Sequence, residues 1–261
     1  MNIPITLEVK DVSKSFFNQG QVEQILQGVS FKVKKGEVLS LLGHSGCGKS
    51  TLLNIIGGFE KIDSGQVLFE GSPVLGPHRQ CVMLFQNYGL LPWRNIIKNV
   101  EIGLENLIKN KTLRKEQALH YLELVGLKDK AHHFPNQLSG GMQQRVAIAR
   151  ALAIKPDLIL MDEPFAALDT FNRYYLQDEL LRLQEQEKTT IILVTHDIDE
   201  AVYLSDRVLI MDNNSGNIQR ELKITTPKSR DRSHGDFQYY RTLIFNEFHF
   251  NQPKRQVEYY I

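Results

Sequence analysis

The sequence predicts an α/β fold in which a mainly parallel sheet is interrupted by a block of helices. Short apolar runs such as 38–42 and 158–161 are typical of strands buried on both faces. Between about residues 87 and 155 no good strand occurs, and apolar residues recur at helical spacing. We therefore expect an α/β core with a helical subdomain inserted at about 87–155.

The first 35 residues predict a different sheet. Apolar side chains alternate with polar ones at positions 5, 7 and 9 and again at 29, 31 and 33. A period of two is typical of antiparallel strands with one buried face. The chain should therefore begin with an antiparallel β region.

Local signals predict the remaining elements. In the helical block, 95–108 is predicted as one helix, and Thr112 can cap a second over 113–124 that ends at Gly126. The core should resume at Leu158, continue through strands at 190–194 and 207–211, and end near Ile224. We divide the chain into a domain at 1–224 and a C-terminal extension at 225–261.

A glycine-rich loop predicts a phosphate site. Residues 43–50 match G-x-x-x-x-G-K-[ST], follow the apolar run 37–42 and precede helically spaced leucines. Backbone N–H groups and the helix N-terminus can hold phosphate, Lys49 would bridge the β- and γ-phosphates of ATP, and Ser50 would ligate Mg²⁺. The nucleotide-binding residues of this loop are Gly43, His44, Ser45, Gly46, Cys47, Gly48, Lys49, Ser50 and Thr51. Because Cys47 lies in the loop, we expect its alkylation to inactivate the protein and bound nucleotide to slow that reaction.

An acidic strand end completes the expected chemistry. Asp162 and Glu163 follow four apolar residues, so they should lie at the carboxyl edge of the parallel sheet, where ligands bind. Asp162 would hold Mg²⁺, and Glu163 would act as general base toward the attacking water. An ordinary turn made by Asp-Glu-Pro is the alternative, and the upstream loop makes it the weaker one. The fold class is therefore α/β with a P-loop NTPase (RecA-like) core.

A second anion site lies inside the helical block. Ser139, Gly140 and Gly141 precede an apolar stripe at 142, 146, 149 and 152, so they open a helix whose free N–H groups can bind an anion. The same serine is also a simple helix cap. A second phosphate site is redundant in one folded chain but useful if two copies meet head to tail, each closing the ATP of the other.

With these motifs the chain resembles the ATPase subunits of ABC transporters over residues 5–224. The resemblance implies three further catalytic or interface residues: Gln86 as the Q-loop glutamine near Mg²⁺ and the water, Asp169 in the D-loop, and His196 as the switch histidine. Phe16 corresponds to the aromatic that stacks on adenine, with Phe17 as a competitor. The anion held by Ser139–Gly141 would be the γ-phosphate on the other subunit.

The C-terminal extension is rich in aromatic residues. Phe237, Tyr240 and Ile244 have the spacing of one helix face, which favours a helix packed on the core over a dimer or partner contact. Residues 226–232 and 90–95 resemble the nitrate/sulfonate/taurine importer branch. That branch implies import of nitrate, a sulfonate, taurine or a thiamine precursor.

Composition restricts the partners. The 261 residues carry a formal net charge of +1, which argues against general nucleic-acid binding. No apolar stretch of about 18 residues and no leader pattern occur, and two cysteines suggest a reducing compartment. By resemblance we expect a homodimer around two ATP, two separate membrane permease subunits, a solute-binding protein acting indirectly, and a peripheral location on the cytoplasmic face. The alternatives are a soluble ABC-type ATPase without a transporter, and half of an exporter.

Overall fold

The computed structural model describes residues 3–18, 20–85, 88–212 and 215–250, with backbone alone for residue 18 and residues 248–250. In chain order its elements are β1 (Ile5–Asn18), β2 (Gln21–Lys34), β3 (Val38–Leu42), α1 (Lys49–Ile56), β4 (Ser64–Phe69), β5 (Ser72–Pro73), β6 (Cys81–Leu84), α2 (Ile96–Leu104), α3 (Lys111–Leu124), α4 (Gly140–Ala153), β7 (Leu158–Asp162), α5 (Thr170–Glu187), β8 (Thr190–Thr195), α6 (Ile198–Leu204), β9 (Arg207–Met211), β10 (Ile218–Lys223) and α7 (Gly235–Phe250).

The central sheet is mostly parallel, as predicted. Within the described ranges it has the order β10-β9-β3-β8-β7-β6, and β10 alone runs antiparallel, against β9. Strands β3, β7 and β8 therefore lie side by side. Their carboxyl ends deliver the residues after Leu42, Asp162 and Thr195 to one edge of the sheet.

The second sheet is the predicted antiparallel one, with the order β2-β1-β4-β5. Helix α1 fills the space between the two sheets. Its Leu52 and Leu53 are buried in one core cluster with Val12 and Val29 of the antiparallel sheet and Leu41 of the parallel sheet. This burial fixes the start of α1 against both sheets.

Helices α2, α3 and α4 lie between β6 and β7, where the inserted block was predicted. Two predicted boundaries were wrong. Helix α2 begins after Asn95, whose side chain accepts from the Lys98 N–H, and it ends at Leu104 rather than near 108. Helix α3 is capped by Asn110 and not by Thr112, because the Asn110 side chain accepts from two backbone N–H groups.

The C-terminal helix α7 packs on the core, as its aromatic spacing predicted. Phe237 and Ile244 are buried in the larger core cluster, and Tyr240 packs against it. The tail residues Tyr259 and Tyr260 lie outside the described residues. Among the helices that are described, none has the length and apolar content to cross a bilayer.

Candidate functional site

The phosphate loop joins the end of β3 to the start of α1. Gly46 and Gly48 have φ of 88° and 96°, which favour glycine. A Cβ on Gly48 would lie 2.7 Å from Leu26 Cδ2 and 3.0 Å from the Ile25 carbonyl oxygen, so a side chain has no room there. The loop is therefore held tightly against β2, with its backbone free to face the cleft.

Lys49 is buried and lies across the loop. Its Nζ donates to the carbonyl oxygens of Gly43 at 2.8 Å and His44 at 2.7 Å. The loop thus holds a positive charge at its centre, next to the first turn of α1. This placement fits the predicted counter-charge for the β- and γ-phosphates.

The Cys47 side chain is buried in the core and does not face the nucleotide cleft, contrary to the prediction. Its side chain is only 2% exposed and belongs to the core between the sheets. Its Sγ lies 2.6 Å from the position that a Cβ on Gly43 would occupy, so the thiol packs beneath the loop. The expectation of an accessible thiol beside the nucleotide is wrong, and only the backbone of Cys47 is left to face a phosphate.

A cleft of about 410 Å³ contains most of the predicted nucleotide site. Its lining residues come from β1, β2, the loop, α1 and the end of β7: Phe16, Ile25, Ser45, Gly46, Gly48, Lys49, Ser50, Thr51, Asp162 and Glu163. Phe16 lines this cleft and Phe17 does not, although Phe17 is the more exposed ring. Lys14 Nζ lies 4.7 Å from the Phe16 ring centroid and makes a cation–π contact with the ring. Of the two rings, the structure therefore brings Phe16 to the cleft, and base stacking by Phe16 stays a prediction.

Asp162 and Ser50 form the candidate magnesium position. The Asp162 carboxylate at the end of β7 is hydrogen-bonded to the Ser50 side chain, with Lys49 close by. Burial raises the pKa of Asp162, and the Ser50 hydrogen bond opposes this rise. A hydroxyl and a carboxylate, completed by phosphate oxygens and waters, are the ligands that Mg²⁺ prefers, so these residues fit the ion.

Glu163 and His196 meet at the edge of the parallel sheet. His196 Nδ1 lies 2.9 Å from Glu163 Oε1, although the residues are 33 positions apart. Glu163 has φ of 48°, an uncommon conformation for a non-glycine residue, and its N–H donates to the Val194 carbonyl. The backbone of β8 thus fixes the turn that presents the Glu163 carboxylate.

These two residues also line a second cleft. It has about 480 Å³ and is formed by Gly43, His44, Ser45, Glu163, His196, Ile198 and Phe245. The phosphate loop is shared between both clefts, so they adjoin along one edge of the molecule. Phe245 brings the C-terminal helix into the wall of this cleft.

The signature segment lies elsewhere in the same chain. Ser139 caps α4, accepting from the Met142 N–H, and neither cleft is lined by Ser139, Gly140 or Gly141. A Cβ on Gly141 would approach Leu168 Cδ2 at 3.1 Å. Asp169, next to Leu168, caps α5 and accepts from the Asn172 N–H. The signature and D-loop segments therefore touch each other, and neither reaches the phosphate loop of its own chain.

Sequence reasoning missed several residues that support the site. Gln144 Nε2 donates to the Glu163 carbonyl at 3.3 Å, which joins α4 to the turn that contains Glu163. Arg173 Nη1 donates to Asp197 at 3.3 Å, and Arg173 Nη2 donates to the Leu168 carbonyl. No sequence pattern predicts the contacts of Gln144 and Arg173, because each partner is distant along the chain or is a backbone carbonyl.

The glutamine predicted at the end of β6 cannot be placed, since Gln86 lies outside the described residues. The loop after it is held by Arg150 of α4. The Arg150 guanidinium donates to the carbonyls of Gly89 at 2.7 Å and Tyr88 at 2.9 Å. Burial lowers the pKa of Arg150. The region of the Q-loop is thus connected to the signature helix.

Comparison with known proteins agrees with this geometry. The ABC transporter family model matches residues 26–166. An uncharacterized ABC transporter ATP-binding protein of Methanocaldococcus jannaschii is 46% identical over 93% of this chain and 91% of its own length. An aliphatic sulfonates import ATP-binding protein of Bacillus anthracis is 39% identical over 94% and 96%. A nitrate transport protein of Klebsiella oxytoca is 41% identical over 95% and 98%.

A solved structure shows the same fold. It is the dimeric, post-hydrolysis state of an ATP-binding cassette with bound ADP and Pi, and it superposes with a TM-score of 0.78 at 35% identity. The match covers 85% of this chain and all of that cassette. The chain therefore belongs to the ABC transporter family, as an ATP-binding cassette with ATPase activity.

Proposed function

We propose that this chain is the ATP-hydrolysing subunit that powers import of a small solute through a separate membrane permease. The observation that carries the proposal is the Glu163–His196 pair, which adjoins the loop that holds Lys49 and the Ser50–Asp162 contact. The relatives named for nitrate transport and for aliphatic sulfonate import support a solute of that class.

The chemistry is hydrolysis of the terminal phosphoanhydride bond. Lys49 would neutralise the β- and γ-phosphate oxygens, and Ser50 and Asp162 would hold Mg²⁺, which supplies further charge neutralisation when bound. Glu163 orients the water and accepts its proton as the water oxygen bonds to the γ-phosphorus. The bond to the ADP oxygen breaks, and ADP and phosphate leave. His196, which contacts Glu163, would donate to a γ-phosphate oxygen.

Two copies complete the two sites. Ser139, Gly140 and Gly141 lie away from the phosphate loop of their own chain, but the N-terminus of α4 remains available for an anion. In a head-to-tail pair this segment would contact the γ-phosphate bound by the other copy, and Asp169 would lie at the same interface. The cassette solved as a dimer supports this arrangement.

The partners follow from the same proposal. Two permease subunits would contact the pair near Gln86, at the cytoplasmic face of the membrane, and a solute-binding protein would deliver the solute outside. The second candidate is an ABC-type ATPase that acts without a transporter. The net charge of the sequence is near neutral, so it offers little support for the nucleic-acid forms of that alternative.

Glu163→Gln tests the catalytic assignment. The amide keeps the size of the side chain but cannot accept the proton, so hydrolysis should fall 10²–10⁴-fold, the range typical of general-base assistance, while ATP binding persists. We expect an ATP-dependent dimer to accumulate, measured by size-exclusion chromatography with light scattering. Glu187→Gln, an exposed carboxylate paired with Lys155, is the matched control and should retain wild-type turnover. Near-wild-type hydrolysis by Glu163→Gln would refute the proposal.

Ser139→Arg tests the composite site in the same background. A bulky side chain at the start of α4 would fill the opposing phosphate position, so the dimer should be lost while ATP affinity of the monomer stays within about twofold. A dimer that survives this substitution would show that the signature segment does not close the partner site.

Reconstitution with a permease distinguishes the two candidate functions. ATP-dependent uptake of labelled nitrate or an alkanesulfonate into vesicles would support the importer. Turnover that is unaffected by any permease but stimulated by nucleic acid would favour the alternative.

A further inference from the structure

The C-terminal helix supplies a side chain to the catalytic edge. The Phe245 ring on α7 is 49% exposed and lines the 480 Å³ cleft beside His196 and Ile198. An adjacent residue, Ile244, is fully buried in the core, so the helix is anchored while Phe245 faces the cleft.

A polar contact fixes the same helix to the switch region. Arg241 Nε lies 2.7 Å from Asp199 Oδ1 on the first turn of α6, three residues after His196. This exposed ion pair links helix α7 to the segment that carries the histidine. The wall made by Phe245 has a defined position relative to Glu163 and His196.

A second aromatic ring is exposed near the D-loop. Phe171 lies on the first turn of α5, two residues after Asp169, and its side chain is 88% exposed. Arg173, on the same turn, donates to Asp197, the residue that follows His196. The turn that displays Phe171 is thus linked to the region that walls the cleft.

In a symmetric dimer, the exposed Phe171 ring of one copy and the cleft walled by Phe245 of the other copy can contact each other twice. In a two-fold dimer, if one surface residue contacts a second residue on the other copy, the reverse contact also forms. The exposed Phe171 ring and the cleft walled by Phe245 can form such a reciprocal pair, because Arg173 connects the turn of Phe171 to Asp197 and Arg241 connects the helix of Phe245 to Asp199. The cleft is also continuous with the phosphate loop, which the other copy is expected to cover.

We propose that Phe171 of each copy packs into the cleft walled by Phe245 of the other copy when the ATP-bound dimer closes. The inference rests on the proposed function, since it needs the head-to-tail dimer. It gives the C-terminal extension a role in closing the catalytic cleft. It also adds an apolar contact beside a site that otherwise depends on phosphate charge, and large buried aromatic groups often dominate such interfaces.

The test is a double-mutant cycle in the hydrolysis-deficient Glu163→Gln protein. Sedimentation equilibrium with saturating MgATP gives the dimer dissociation constant. Phe171→Ala and Phe245→Ala should each raise it at least tenfold, because each removes both symmetric contacts. The double variant should be hardly weaker than either single one, since the second substitution removes a contact that is already lost.

Tyr239→Ala is the matched control, because this ring is exposed on the same helix but does not line the cleft. It should leave the dissociation constant unchanged. All the variants should keep the ATP affinity of the monomer and the thermal midpoint of the parent, which shows that folding is intact.

Four outcomes would overturn the inference. Single variants that dimerise like the parent would exclude the contact. Effects that multiply to about a hundredfold in the double variant would show that the two rings act independently. Tighter dimerisation by Phe245→Ala would show that the ring obstructs closure. A parent that does not dimerise with ATP would overturn the proposed function as well, whereas the other results leave that function standing.

Discussion

Replacing Glu200 by glutamine should stabilise the protein above pH 7 and have little effect near pH 5. Glu200 lies on α6, is only 5% exposed, and accepts a hydrogen bond from Thr195 Oγ1 at 2.8 Å. Burial raises the pKa of its carboxyl from the usual 4.5 to about 7, against the opposing effects of the Thr195 hydrogen bond and the nearby Arg173 and His196. Asp197 adds to the rise.

The sign follows from proton binding. Between pH 4.5 and about 7 the folded protein holds a proton on Glu200 that the unfolded chain has lost, so the free energy of unfolding falls as pH rises. The loss of unfolding free energy is complete once the pH exceeds the pKa of Glu200 in the folded protein. Each pKa unit is worth about 1.4 kcal/mol, so the full cost is on the order of 3 kcal/mol, of which roughly 2–3 kcal/mol develops above pH 5.

Glutamine is neutral at every pH and keeps a hydrogen-bonding group for Thr195. We therefore expect Glu200→Gln to exceed the wild type by roughly 2–3 kcal/mol more at pH 8.5 than at pH 5. Urea denaturation at several pH values, followed by circular dichroism, measures this difference. Glu123→Gln, an exposed carboxylate beside Lys128, is the control and should show less than about 1 kcal/mol of change. A Glu200→Gln effect that is constant with pH would refute the reasoning.

Three further predictions follow from buried groups. Lys49→Ala should abolish ATP binding and hydrolysis, because the phosphates lose a counter-charge fixed by two loop carbonyls; near-normal turnover in a coupled ATPase assay would contradict this. Cys47 and Cys81 are both buried, and burial raises the pKa of Cys81 to about 12, so labelling of the folded protein with a maleimide should be slow with or without MgATP; rapid labelling, followed by mass spectrometry, would show that the loop opens. Arg230→Met should destabilise the protein by about 1–3 kcal/mol, because the buried carbonyls of Val202 and Tyr203 lose their guanidinium donor; an unchanged urea midpoint would argue against that role for Arg230.

The sequence by itself predicted the phosphate loop, the two sheets and the packed face of α7, because neighbouring residues in the chain produce each of them. Residues 43–50 contain both the glycines that the loop geometry needs and the lysine that it holds, so contiguous residues predict a phosphate loop. The alternation in the first 35 residues and the apolar runs of the core predicted both sheets, because strand burial sets those patterns directly. The spacing of Phe237, Tyr240 and Ile244 likewise predicted the packed face of α7.

Other features depended on contacts between distant residues. Sequence could place Glu163 and His196 at strand ends, but only the neighbouring positions of β7 and β8 bring them within 2.9 Å. The burial of Cys47 arises from the two sheets and α1 closing around the loop, so position in the motif gave the wrong expectation. Gln144 and Phe245 reach the catalytic edge from α4 and α7, and no local pattern marks either residue for that place. Sequence thus determined which chemistry the chain carries, while packing of elements far apart in the chain decided which groups meet, because burial and hydrogen bonding of that kind exist only after the chain has folded.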